Sequence, residues 1–263
     1  MKVILLSALV LALFSCKSDP KQDTSEPVAE KQIVTSLKDE NEMDQRATAI
    51  DTLLGREGTA VSTLDYGKPD KGESYQAIGY TDSKGVLLKV VEYFNDGNGK
   101  DSGTRTFYLN NGKPFCTLEQ ASAMQGNSFF NRISYYNSSG EVSMTKERRG
   151  SYEEEVTQMN YKPAALTKVS MDRAMRALSQ KGEFATTFQG FVFQEAITYL
   201  VVGENKPDGY TSAIKCDFRD NLINTLAANE KKYIGKPLKV NFQEYVDQDG
   251  LKTQLYLGGQ FAE

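Results

Sequence analysis

The rhythm of apolar and polar positions changes several times along the chain. Val3 to Phe14 is an almost unbroken apolar run, interrupted only by Ser7. Ile33, Val34, Leu37, Ala47, Ile50, Leu53 and Leu54 recur at broken helical spacing, which predicts one helix ending near Gly55. From 60 to 160, β-branched and aromatic runs alternate with Gly, Asn, Asp and Ser. Strands are expected near 74–82, 86–94, 103–110, 113–119, 128–137 and 141–148. Asp82 to Gly85, Asn110 to Gly112 and Asn137 to Gly140 are the turns that join them in pairs, because Asn and Gly tolerate the positive φ of tight hairpins. Phe129, Ile133 and Tyr135 alternate with Arg132 and Ser134, so one face is expected to be buried and the other wet.

Helical spacing returns over 163–182, where Val169, Met171, Ala174, Met175 and Leu178 precede Gly182. A connector helix over 161–182 is the expectation. Beyond it, strand-like runs fall at 183–194, 196–203, 211–218, 236–246 and 252–261. Leu222, Ile223, Leu226 and Ala227 place a helix between the third and fourth of them. Strand–strand–strand–helix–strand–strand is the order of an OB-fold. The fold class expected is mainly β. It comprises an N-terminal antiparallel β-meander with a covering helix over 33–160, the connector, and a five-stranded OB-fold barrel over 183–263.

The apolar run at the start is too short to span a bilayer, which takes ~20 apolar residues. With Met1 and Lys2 before it, it reads as a secretory signal over 1–15. Leu13-Phe14-Ser15-Cys16 resembles a lipobox, with an aliphatic residue, a small residue at the cut and a cysteine after it. That resemblance implies a bacterial lipoprotein cleaved before Cys16 and held to a membrane by acyl chains on that cysteine. The alternative is a plain signal peptide. Lys17 stands where lipoproteins kept in an inner membrane commonly carry Asp, so the resemblance implies the outer membrane, with surface exposure open. Residues 17–31 hold no aromatic side chain and mix Lys, Asp, Glu, Ser and Pro. A tether over 16–32 follows from that composition.

The C-terminal segment is similar to the small OB domains of bacterial lipoproteins, including the anticodon-binding-like OB family and the C-terminal domain of an envelope stress lipoprotein. Gly182-Glu183-Phe184, Phe188-Gln189-Gly190, Tyr199 to Val202, Ile214 to Phe218 and Tyr233 to Val240 carry the likeness. The paired cysteines of the stress lipoprotein are missing, so a copper or redox role does not transfer. The tyrosine-rich hairpins of the N-terminal half resemble MORN-type repeats at a longer spacing. A plain meander explains them equally well.

Composition narrows the chemistry. The chain of 263 residues carries a net charge of −4 and no histidine or tryptophan. Without histidine, Ser-His-Asp and Cys-His nucleophiles and His-containing zinc sites drop out. Removal of 1–15 takes one lysine away, leaving −5, and 183–263 is net negative by three. Nucleic-acid binding is therefore unexpected. The basic stretch from Lys162 to Lys181 reads as a solvated helix face. Cys116 and Cys216 belong to no C-x-x-C pair, and two buried thiols or an interdomain disulfide both fit. Asp96 to Asp101 starts like a calcium loop, but Lys100 holds the fifth ligand position and no Glu follows at the twelfth.

No cofactor and no metal site are expected, and no catalytic set stands out. The expected role is a non-enzymatic binding or scaffold protein of the envelope, contacting another protein. The alternative is an OB-domain binder of an oligosaccharide or other small ligand. A carboxylate-based hydrolase comes third. Tyr199, Tyr210, Phe218 and Tyr245 are the candidate ligand-binding rings; core packing is the competing explanation for each.

Overall fold

The alternation between 60 and 160 becomes a run of strands in the computed structural model, which describes residues 40–123, 128–246 and 250–262. Two short strands, β1 (Thr59–Ser62) and β2 (Tyr66–Lys68), come first. They are followed by β3 (Glu73–Thr81), β4 (Leu87–Asp96), β5 (Ser102–Asn110), β6 (Lys113–Ala123), β7 (Ser128–Tyr136) and β8 (Val142–Gly150). Strands β3 to β8 pair in sequence order, all antiparallel. The predicted turns join them: Asn111 and Gly112 both take positive φ between β5 and β6, and Gly85 and Gly140 do so in the other two hairpins. Strands β1 and β2, absent from the sequence reading, lie end to end along β3.

Helix α1 (Glu40–Glu57) extends two residues past Gly55. The predicted portion at 33–39 lies outside the described residues. The helix buries Met43, Ala47 and Ile50 on one side, against Tyr108, Phe115, Cys116 and Tyr135 of the sheet. Polar bonds fix its position. Tyr108 Oη donates to Asp51 at 2.7 Å, Tyr135 Oη donates to Asp44 at 2.7 Å, and Lys146 reaches Glu40.

The connector differs from expectation. Residues 161–182 are not one helix. After a short α2 (Glu153–Gln158), the chain makes a two-residue strand β9 (Lys162–Pro163) and an extended stretch, and only α3 (Asp172–Leu178) is helical. The sheet takes up the polar groups of the extended stretch. Ala164 N donates to Thr145 O at 2.9 Å and Ser134 Oγ donates to Thr167 O at 3.0 Å. Those bonds and Pro163, which has no N–H, override the helical spacing.

The last strands are β10 (Thr187–Gln194), β11 (Ile197–Gly203), β12 (Thr211–Cys216), β13 (Leu238–Val246) and β14 (Lys252–Phe261). The expected strand at 183 begins only at 187, because Gly182–Phe184 forms a 3₁₀ turn. The helix expected between the third and fourth of these strands is broken at Asn229 into α4 (Asn221–Ala228) and α5 (Glu230–Tyr233). Pairing runs β10–β11–β12–β14–β13. The β12–β14 contact is parallel, and a bridge from Thr187 to Pro237 brings the start of β13 back beside β10. The described residues all belong to one compact unit. Strand β12 also pairs with β2 at Thr211 and Gly67. One apolar cluster runs from Tyr75, Val90 and Phe107 through Ala174 and Phe184 to Leu200, Ile214 and Tyr256.

Phe184 is the centre of that cluster. Its ring lies 4.9 Å from Tyr66, 4.8 Å from Tyr75 and 5.3 Å from Tyr210. Each tyrosine hydroxyl is satisfied: Tyr66 donates to Phe184 O at 3.0 Å, Tyr75 to Glu92 at 2.6 Å and Tyr210 to Glu73 at 3.1 Å.

The face of the meander that carries Phe107 and Val90 also carries a row of charges. Register aligns Glu92, Arg105, Glu119, Arg132 and Glu147 across β4 to β8, with alternating sign at every step. Arg105 lies 2.8 Å from Glu119, and Arg132 lies 3.0 Å from Glu119 and 2.7 Å from Glu147.

Two outcomes are expected. Phe184→Ala should lower stability by about 3–5 kcal/mol, because it opens a cavity ringed by aromatics; urea unfolding measures it. Acid should also weaken the fold. Burial pushes the Glu147 carboxyl up, but hydrogen bonds from Arg149 and Arg132 outweigh it and hold it below its ordinary value. Hydrogen bonds from Lys68 and Arg176 lower Glu73 and Glu183. These depressed groups contribute stability above the unfolded carboxyl value of about 4.3 and lose it as pH falls through their folded values. Burial raises Glu92, so protonation of that group has the opposite sign. The acid loss, followed by thermal midpoints between neutral and acid pH, should therefore be steeper in Glu92→Gln than in wild type.

Candidate functional site: the outer face of the C-terminal strands

Alternation along β11, β12 and β14 turns Leu200, Val202, Ile214 and Tyr256 inward, where all four are buried. The residues between them face out. Direct pairing makes one transverse row of Val192, Tyr199, Lys215, Leu255 and Gln243. Val201 and Ala213 form the next pair on the same side, and Tyr245, two residues from Gln243, pairs with Thr253. Val192 is 51% exposed, Tyr245 52% and Leu257, at a bulge in β14, 54%. The charge of Lys215 is met by Asp217 at 3.0 Å. The face is mostly aliphatic and aromatic, with one ion pair at Lys215 between Tyr199 and Leu255. It suits contact with an apolar surface or a ring better than with an anion.

Tyr199 and Tyr245 thus share one face. The other two candidate rings lie elsewhere. Tyr210, 4% exposed, belongs to the aromatic cluster around Phe184. It accepts from Arg173 Nη2 at 2.7 Å, and the Lys68 ammonium sits 4.1 Å from its ring centroid. Burial pushes its hydroxyl up to about 12. Core packing accounts for it. Phe218, 46% exposed, lies beyond the end of β12 with its ring 5.7 Å from Tyr256. Beside it Asp220 caps α4, accepting from Ile223 N at 2.9 Å and from Tyr256 Oη at 2.8 Å.

Val192 and Leu255 were missed in the sequence because neither belongs to a motif. A signal was present: both parities of β11, Tyr199 and Val201 as well as Leu200 and Val202, are apolar. A strand with one wet face would show polar residues on one parity.

Cys16 lies outside the described residues. Cys116 and Cys216 are both free, the first buried and the second half-buried. Asp96, from the loop that begins like a calcium site, pairs instead with Arg173 at 2.9 Å. Glu153, Glu154 and Glu155 form the first turn of α2. No helix among the described residues is long and apolar enough to cross a membrane. The chain matches no protein-family model, no curated protein and no solved structure.

Burial pushes the Cys116 thiol up to about 12 and the Cys216 thiol up to about 11. Neither forms much thiolate near neutral pH. A maleimide at pH 7.5 is expected to label both slowly in the native protein and promptly in urea; rapid native labelling would contradict their placement.

Proposed function

We propose that this is a lipid-anchored envelope protein, held by acyl chains on Cys16, that binds another protein through the outer face of a C-terminal OB-fold. The strand order supports the OB reading. First pairs with second, second with third, third in parallel with fifth, and fifth with fourth, and the fourth returns to the first through Thr187 and Pro237. OB barrels carry their ligands on the outer faces of their strands. Helix α4 sits between the third and fourth strands, with Leu222, Ile223 and Leu226 buried.

The observation that carries the binding role is the apolar outer face. Val192, Tyr245 and Leu257 are each more than half exposed and lie around Tyr199, Val201 and Leu255. Contiguous exposed apolar surface of this kind marks a protein contact, and tyrosines are the side chains that dominate such contacts. The role is binding rather than catalysis, and the outer membrane is the location that Lys17 favours.

The test is cross-linking in cells, with the partner identified by mass. The double variant Tyr199→Asp, Tyr245→Asp should lose the cross-linked partner while keeping its thermal midpoint, because both hydroxyphenyl groups lie outside the core. Loss of one such ring is worth about 2 kcal/mol, or roughly thirtyfold in affinity. Recovery of the same partner in the same yield would remove the face from consideration. Cys16→Ser should release the protein into the soluble fraction or leave an uncleaved precursor; unchanged lipid labelling would remove the anchor.

A further inference from the structure

The meander holds a second surface of different chemistry, on the α1 side but beyond the helix. Pairing aligns Gln76, Tyr93, Thr104, Gln120, Asn131 and Arg148 in one row across β3 to β8. The next row on the same side is Ser74, Asn95, Ser102, Ser122, Phe129 and Gly150. Twelve consecutive positions therefore contain no carboxylate and one guanidinium, in a chain where a quarter of the residues are charged. Nine carry a hydroxyl or a carboxamide.

The surface is not flat. Helix α2 walls one end, and a hollow of about 210 Å³ lies beside it, lined by Ser102, Gln120, Ser122, Phe129 and Glu153. At the other end a second hollow of about 330 Å³ lies between Asp65, Ser74, Gln76 and Tyr93. The β13–β14 hairpin stands next to it, with Lys252 Nζ 6.0 Å from the Tyr93 ring and Glu244 bonded to Gln76. Tyr93 is 42% exposed and Gln120 is exposed. Among the described residues, the Tyr93 hydroxyl, Thr104 and Gln120 make no side-chain hydrogen bond. Their donors and acceptors face solvent unused.

We propose that this cleft binds an extended β-linked glycan of N-acetylhexosamine units, lying across the strands from Tyr93 to the hollow beside α2. Three features select that ligand class. The two rows are mostly hydroxyls and carboxamides with one guanidinium, Arg148, and carboxylates stand only at the two ends, Glu153 at one and Asp65 and Glu244 at the other, so an uncharged chain fits the stretch between them better than a polyanion. Neighbouring strands are ~4.8 Å apart, close to the advance of one sugar ring in an extended β-linked chain, so Tyr93, Thr104 and Gln120, on the adjacent strands β4, β5 and β6, can address successive sugars, while Gln76 and Asn131 are buried in the floor. Carboxamides donate and accept as an acetamido group does, and the exposed Tyr93 ring offers an apolar face for the C–H side of a pyranose. The surface is distinct from the outer face of β11–β14, so it stands or falls separately from the protein-binding role.

Calorimetric titration of the full chain in detergent micelles with chitohexaose tests it, with maltohexaose as the α-linked, coiled comparison. Chitohexaose should bind and maltohexaose should bind much more weakly. Tyr93→Ala and Gln120→Ala should each weaken chitohexaose by at least about fivefold, the value of one lost hydrogen bond or stacked ring. Tyr245→Ala, on the other surface, should leave it unchanged. Both cleft side chains lie outside the core, so an unchanged thermal midpoint separates lost binding from lost folding. Absence of chitohexaose binding, equal affinity for maltohexaose, or undiminished affinity in both cleft variants would overturn the assignment.

Discussion

The stacking of Phe184 against three tyrosines is the contact on which the rest of the architecture depends. Tyr66 and Tyr75 belong to the meander strands, and Tyr210 stands at the entrance to β12. Phe184 itself sits in the short turn that delivers the chain from α3 to β10. Aromatic pairs at these distances favour offset and tilted geometries and add to the gain from burial. The phenylalanine side chain has no polar atom to satisfy, whereas the tyrosine hydroxyls donate to Glu73, Glu92 and the Phe184 carbonyl. Arg173 completes the seam: its guanidinium lies 4.2 Å from the Tyr75 ring centroid and bonds Asp96 and Tyr210. Gln254, from β14, adds a backbone-like pair, accepting from Asp65 N at 2.9 Å and donating to Thr63 O at 3.1 Å.

The alternating charge row is a second constraint, and it works differently. Buried ion pairs return little net stability, because desolvation cancels most of the attraction. Removing one partner is costly, since it strands the other. A row that alternates in sign across five strands therefore penalises any slip of register: a shift of two residues on one strand would leave arginines and glutamates without their opposites. Turn chemistry acts at one end of each strand pair, whereas the row ties all five strands together across their width. Arg105 also covers the Phe94 ring at 3.9 Å, and Arg132 and Arg149 cover Phe130, so the guanidinium planes extend the apolar layer as well as the ionic one.

Much of this was legible in the sequence. The six meander strands and the five C-terminal strands lie within a few residues of where alternation and Asn-Gly turns place them, because both signals are local. Features that depend on distant partners were not readable. The stretch from Lys162 to Val169 has helical spacing, yet it is extended because Thr145, Ser134 and Tyr136 of the sheet take its polar groups. Strands β1 and β2 are too short for periodicity and exist because β3 has an open edge. The charge row shows in the sequence only as Glu and Arg recurring at 13 to 15 residues, the length of one strand and its turn. Of the four rings singled out, Tyr210 was drawn into the seam because its partners come from β2, β3 and α3, none of which is near in sequence.

The β13–β14 hairpin shows how one element can serve two surfaces without mixing them. Its alternate residues face opposite ways. Glu244 and Gln254 reach the meander, bonding Gln76 and the backbone at Thr63 and Asp65. Tyr245 and Leu255 face the other way, onto the outer face. The period of two in a strand makes this separation automatic, so a change at one parity alters the seam and the end of the polar cleft, and a change at the other alters the apolar face. The two surfaces also differ in what they can hold. One offers aliphatic and aromatic groups with a single ion pair; the other offers hydroxyls and carboxamides, of which those of Tyr93, Thr104 and Gln120 have unused hydrogen-bonding capacity. A single ligand would not satisfy both, so the chemistry of each face, rather than the fold they share, limits what could bind there.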